Sequence, residues 1–221
     1  MHDLALLKKH PLFASLDGDA FSYACSFLQA IPQKYRRGEF LIRAAEPFLC
    51  FGILLDGTVS VYTDDIDGER MIMATVSAPD SFGESLAYFA TAESPVSVVA
   101  TEDAVVVWLS AAVLRRHLSD GEKNEVAALL CERFTALLAA RALSQNDRIQ
   151  ILSKSTIRAR LVTFFTQWEH RTHSRTFRIP FDRNAMAEYL GVNRSALSRE
   201  LSAMKEEGVL DFYRNSFRLL Q

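Results

Sequence analysis

The sequence is short of what staples small proteins together or ties them to membranes. It has 3 cysteines, Cys25, Cys50 and Cys131. With no CxxC pair they give neither a disulfide framework nor a metal site. Long apolar runs are missing as well. The longest nearly apolar stretch, 104–114, contains Ser110 and is about half a membrane span. The opening MHDLALLKKH puts its lysines after an apolar patch, the reverse of a secretory signal. Repeats and low-complexity tracts are absent. These absences point to a soluble, cytoplasmic protein with no membrane partner. What is present in quantity is core material: 49% hydrophobic residues, 15 Phe among them, with 24% charged, which excludes wholesale disorder.

The net charge of −2 conceals an asymmetry. Residues 148–221 carry 13 Lys/Arg and 7 Asp/Glu, hence +6, whereas residues 1–147 carry 12 and 20, hence −8. A basic third on an acidic two-thirds suggests that the C-terminal part meets a polyanion.

The periodicity changes twice. Residues 1–30 read as short helices, with a break at Gly18. Alternation of period two then runs through Phe40/Ile42, Val59/Val61, Met71/Met73, Val96/Val98 and Val105/Val107. Turn signals stand at Arg37-Gly38, Asp56-Gly57, Asp67-Gly68 and Pro79-Asp80. Short strands without crossover helices imply an antiparallel barrel, roll or sandwich. From Asp120 to Asn146 the pattern is helical, about 37 Å of helix, with Val126, Leu130, Phe134, Leu137 and Arg141 on one stripe. A stripe this long is expected to form a dimer seam, the alternative being a helix laid on the strand domain. Asn146-Asp147 breaks the pattern, and a second helix is expected from near Arg148. His170 to Arg178 reads as a polar, basic segment. Two shorter helices follow, Asp182 to Leu190 and Asn193 to Glu207, and then a hairpin of Val209–Phe212 and Phe217–Leu220.

Two helices around a Gly-containing turn in a basic segment are the material of a helix-turn-helix. At about 100° per residue, Leu197, Leu201 and Met204 fall within about 60° of one another and form a core stripe. Arg194, Ser195, Ser198, Arg199 and Ser202 occupy an adjoining arc of about 140°. That arc has arginines and hydroxyls but no carboxylate, the composition needed to lie among phosphates and read base edges.

The stretch FDRNAMAEYLGVNRSALSREL (181–201), continued by MKEEGVL to Leu210, resembles the winged helix-turn-helix of the Crp/Fnr transcriptional regulators. Arg37-Gly38-Glu39, Leu55-Asp-Gly57, Asp67-Gly68 and Phe82-Gly83-Glu84 resemble that family's cyclic-nucleotide-binding-like β-roll. The implied fold is α+β: an effector-sensing antiparallel β-roll over residues 1–119, a dimerisation helix over 120–146 and a winged helix-turn-helix over 147–221. The resemblance implies a homodimer on two-fold-symmetric double-stranded DNA, with RNA polymerase as a further candidate partner. It places base contacts on Arg194, Ser195, Ser198 and Arg199, with Arg199 matching the arginine that reads a guanine. Many members have glutamate where this chain has Ser195, which puts the family's commonest half-site in doubt. Arg183, Asn193, Lys205 and Arg214 are candidate phosphate anchors.

Cyclic-nucleotide-binding members follow Gly-Glu with Arg-Ser or Arg-Thr, the arginine neutralising the phosphate. Here Gly83-Glu84 is present but the pair falls on Ser94-Pro95, and no arginine occurs between Arg70 and Arg115. A buried phosphate would lack its charge partner, which disfavours cyclic AMP. The cysteine spacing lacks the cluster that an iron–sulfur branch requires, and His117 is the one histidine worth watching for haem. Phe82, Tyr88 and Phe89 are then candidate walls of an effector pocket, with Arg133 reaching in. No cofactor or metal is evident, and the effector is not legible. Competing readings are a cyclic-nucleotide-responsive module whose helix-turn-helix serves protein contacts, and an enzyme. Glu39, Glu46 and Glu84 fall at roll turns without a nearby histidine or a Gly-x-Ser-x-Gly elbow, so the expectation is that it is not an enzyme.

Overall fold

A computed structural model describes residues 4–64, 70–120 and 124–220. The expected Asp67-Gly68 turn lies outside the described residues, as does Gly121. The chain forms two compact units, 1–139 and 140–221.

In the first unit, 3-10 turns at Leu4–Lys9 and Pro11–Phe13 and helix α1 (Gly18–Phe27) precede eight strands. These are β1 (Ile31–Tyr35), β2 (Phe40–Ile42), β3 (Cys50–Asp56), β4 (Thr58–Asp64), β5 (Arg70–Ser77), β6 (Ser81–Phe82), β7 (Ser97–Ala100) and β8 (Ala104–Ser110). They make two four-stranded antiparallel sheets, ordered β1-β8-β3-β6 and β2-β7-β4-β5. Period-two alternation turns Val59, Ile53, Val98 and Val107 into one shared core, each at most 1% exposed. Each such side chain adds about 2 kcal/mol of burial. The Met71/Met73 alternation does not bury one face. Met71, Ile72 and Met73, on the edge strand β5, are all exposed. Helix α2 (Glu84–Phe89) sits between β6 and β7, and α3 (Ala111–Asp120) follows β8.

Helix α4 spans Glu125–Leu152. It does not end at Asn146-Asp147, where neither Gly nor Pro interrupts it. The Gln167 amide donates to the Asp147 carbonyl at 3.1 Å, and Arg171 pairs with the Asp147 carboxylate. At its N-terminal part Ala127, Leu130, Cys131 and Phe134 are buried, the last three in the roll's core, with Phe51 and Phe134 ring centroids 5.3 Å apart. At its other end Ile151 is buried in the core of the second unit.

That second unit holds α5 (Ile157–Thr172), α6 (Arg183–Leu190), α7 (Arg194–Glu206) and a three-stranded sheet ordered β10-β11-β9. Strands β10 (Leu210–Tyr213) and β11 (Ser216–Leu219) are the expected hairpin. Strand β9 (Thr176–Arg178) lies within the expected polar, basic segment. Its one inward residue, Phe177, pairs with Phe217. Phe164, Phe165, Phe177 and Phe217 form an aromatic core beneath the helices.

Candidate nucleic-acid interface and sensing domain

Local chemistry sets both helices of the helix-turn-helix. Asp182 caps α6, its Oδ1 accepting from the Ala185 N–H at 2.8 Å. Gly191 ends α6 at φ +61°, a conformation that side chains resist. A Cβ there would also stand 2.9 Å from Leu152 Cδ2. Asn193 caps α7, its Oδ1 accepting from the Ser195 N–H at 2.9 Å and the Ser195 hydroxyl at 2.7 Å. Its amide oxygen is therefore engaged in starting the helix. Leu197, Leu201 and Met204 are buried as expected. Arg194, Ser195, Ser198, Arg199 and Ser202 are exposed together on the outer arc. Among the described residues, neither Arg194 nor Arg199 has a carboxylate partner.

The one carboxylate in the middle of α7, Glu200, is turned away. It accepts from Arg158 Nε at 2.6 Å, and the two Arg158 terminal nitrogens grip Glu207 at 2.7 Å each. The Arg158 hydrogen bonds hold the Glu207 carboxyl below its ordinary range, and the same contacts raise the guanidinium. The tie was not foreseen from sequence, since Arg158 lies 42 residues from Glu200. A second unforeseen arginine, Arg160, donates to the carbonyls of Leu190 at 3.0 Å, Gly191 at 2.9 Å and Lys154 at 2.9 Å. It joins the chain leaving α4 to the turn of the helix-turn-helix.

Two expected phosphate anchors have partners within the second unit. The Arg183 guanidinium lies over the Phe212 and Phe217 rings at 5.0 and 5.2 Å. Half-buried there, its desolvation lowers its pKa. Lys205 pairs with Asp211 at 2.6 Å and sits over the Phe212 ring. Lys205 also holds the Asp211 carboxyl below its ordinary range. Both cations fasten the wing to the helices. Arg214 is exposed at the hairpin tip, over the Tyr213 ring.

The residues singled out in the roll, Phe82, Gly83, Glu84, Tyr88, Phe89, Ser94, Pro95 and Arg133, have the following surroundings. Phe89 is 78% exposed. Tyr88 stacks on Phe134 with ring centroids 5.8 Å apart, and Arg133 donates to the Leu12 carbonyl at 3.3 Å. Ser94 is buried in its own turn, donating to the Val96 carbonyl at 2.7 Å, with Pro95 exposed beside it. Gly83 is at φ +80°, and a Cβ there would stand 2.2 Å from the Phe48 ring. Phe82 similarly covers Gly52.

Glu84 is buried, and contrary to the sequence reading it has a histidine nearby. The His10 Nδ1 accepts from the Leu12 N–H at 3.2 Å, so Nε2 of the neutral ring carries the proton toward Ser81 Oγ at 3.0 Å. Ser81 in turn donates to Glu84 Oε1 at 2.5 Å. In this order the hydroxyl proton goes to the carboxylate and not to the imidazole. The serine, 1% exposed, is no activated nucleophile.

Burial raises all three thiols above their ordinary pKa. No group of His, Cys, Asp or Glu among the described residues could hold a metal. His117 lies edge-on to the Phe27 ring. No described helix is long and apolar enough to cross a membrane.

A cyclic nucleotide-binding domain model matches residues 32–121 and a Crp-like helix-turn-helix domain model matches 159–221. The chain is 24% identical over 180 residues to the transcriptional activator protein Anr of Pseudomonas aeruginosa, covering 79% of this chain and 70% of that protein. It is 24% identical over 208 residues to the cyclic AMP receptor protein of Thermus thermophilus, covering 92% and 89%. The structure of FixK2 from Bradyrhizobium japonicum superposes with a TM-score of 0.54 at 22% identity, covering 87% of this chain and 93% of that one. A β-roll followed by a long helix and a winged helix-turn-helix defines a class of DNA-binding proteins. The chain belongs to the Crp/Fnr family of transcriptional regulators and is not an enzyme.

Proposed function

We propose that the protein is a cytoplasmic homodimer that reads a two-fold-symmetric operator and answers a small-molecule or redox signal other than cyclic AMP. The exposed arc of α7 made by Arg194, Ser195, Ser198, Arg199 and Ser202, which holds no carboxylate, carries this reading. An arginine in that arc can grip guanine O6 and N7 together, worth about 1–3 kcal/mol of discrimination. Two recognition helices related by a two-fold axis would read half-sites about one helical turn apart. Ser195 in place of the family's common glutamate supports a half-site of its own. RNA polymerase is the partner through which a bound dimer would act.

The dimer seam needs a different face of α4 from the one the apolar stripe suggests. Leu130 and Phe134 are enclosed by their own roll, and Val126 packs against it. Leu137 and Arg141 lie on the same side of the helix, partly buried. The opposite face carries Ala128, Glu132, Thr135, Ala139 and Leu143, all exposed. Small side chains there let a second helix approach closely, with Leu143 as the apolar anchor.

The disfavour against cyclic AMP gains support from three placements. Ser94-Pro95 stands where a phosphate would need an arginine, Phe48 covers Gly83, and Glu84 is engaged by Ser81. The test of base reading is Arg199→Ala. It should weaken binding to the preferred site about 10- to 100-fold while random duplex loses far less, measured by fluorescence anisotropy at fixed salt. Equal losses on both duplexes would reduce Arg199 to a phosphate contact.

A further inference from the structure

The roll has an open groove that none of the expected effector residues line. Strand β1 is the edge of one sheet and β2 the edge of the other. Between them runs a groove of about 450 Å³. It continues into a more polar stretch of about 620 Å³ that shares Tyr35, Phe40 and Ile42 with it. The apolar part is walled by Ile31, Tyr35, Phe40, Ile42, Leu49 and Trp108. Ile31 is 62% and Leu49 55% exposed, a cost that an occupant would remove.

The charges at the junction are not balanced by ion pairs. In the polar stretch, which Lys34, Glu39 and Glu46 also line, the Arg43 guanidinium carbon lies 3.8 Å from the centroid of the shared Phe40 ring and has no carboxylate partner among the described residues. The neighbouring carboxylates are engaged by turn backbone. Glu46 accepts from the Arg43 N–H at 3.0 Å and Glu39 from the Arg36 N–H at 2.8 Å. The Tyr35 hydroxyl accepts from Trp108 Nε1 at 2.9 Å, which leaves its own proton to donate. Burial raises this phenol's pKa and keeps that proton in place.

We propose that this groove binds a small amphipathic anion, an apolar chain bearing one carboxylate, with the chain along Leu49, Ile42 and Trp108 and the carboxylate on Arg43. A neutral apolar molecule would leave the guanidinium without a partner, an inorganic anion would leave Ile31 and Leu49 exposed, and a cation would meet Arg43. The inference deepens the sensing half of the proposed function and rests on that reading of the roll, but not on DNA contacts.

Full-length protein without DNA is titrated with octanoate, with 1-octanol and with sulfate, by calorimetry and tryptophan fluorescence. The expected result is one saturable octanoate site per chain, about tenfold tighter than octanol, and no sulfate binding, since one guanidinium–carboxylate bond supplies about that factor. Arg43→Gln should bring octanoate down to the octanol level. Leu49→Glu should abolish both, and Met71→Glu, exposed elsewhere in the unit, should change neither. All three positions are exposed, so thermal melts of the variants should match the parent. Absence of a saturable octanoate site overturns the proposal, as does octanol binding equally tightly or Leu49→Glu binding unchanged. Failure here leaves base reading untouched, and loss of operator binding leaves this titration intact.

Discussion

Arginines of one segment do four different jobs, and only their partners tell them apart. Arg194 and Arg199 keep their heads in solvent, Arg158 is locked to Glu200 and Glu207, Arg183 lies on the wing aromatics, and Arg160 gathers carbonyls. Arg160→Ala should therefore destabilise the second unit by about 1.5 kcal/mol, since charged hydrogen bonds to the carbonyls of Leu190, Gly191 and Lys154 are lost. Urea unfolding of the full chain measures this, and a loss under about 0.5 kcal/mol would show that the clamp is redundant. The Arg158–Glu207 tie has a pH signature of known sign. The folded-state carboxyl is lowered, so its modest contribution is complete at neutral pH and is lost only as pH falls through the lowered value. None of this was legible from composition. The +6 of the tail counts Arg183 and Lys205 as available, whereas ring stacking and an ion pair have already engaged them.

Among the elements, α4 carries the sharpest consequence. Its apolar stripe serves the roll at one end and the second unit at Ile151. The face left for a partner is made of Ala128, Glu132, Thr135, Ala139 and one leucine 68% exposed, Leu143. Leu143→Glu should convert dimer to monomer in sedimentation velocity with the thermal melt of each unit preserved. Leu130→Glu, by contrast, should unfold the roll. A Leu143→Glu protein that still sediments as a dimer would place the seam elsewhere. A sequence reading finds seams by hydrophobicity, so it selected the stripe that the protein's own core consumes. The capped helices were legible to within a residue because Asp182, Gly191 and Asn193 each state a boundary chemically. Strand β9 was not, because a three-residue strand with a single inward Phe177 shows no period.

At the scale of the whole molecule, order along the chain carried most of the fold: alternating strands, a long helix, and two capped helices with a hairpin. The sensing chemistry was less legible, because burial and not sequence position decides that Glu84 faces Ser81 and that Arg133 faces Leu12. The central claim is a dimeric reader of symmetric DNA, and selection from random duplexes with the purified protein at moderate salt tests it most directly. Enrichment of a two-fold-symmetric site with half-site centres about 10 base pairs apart is the predicted result. Binding that stays sequence-independent, with octanoate and without it, would contradict it.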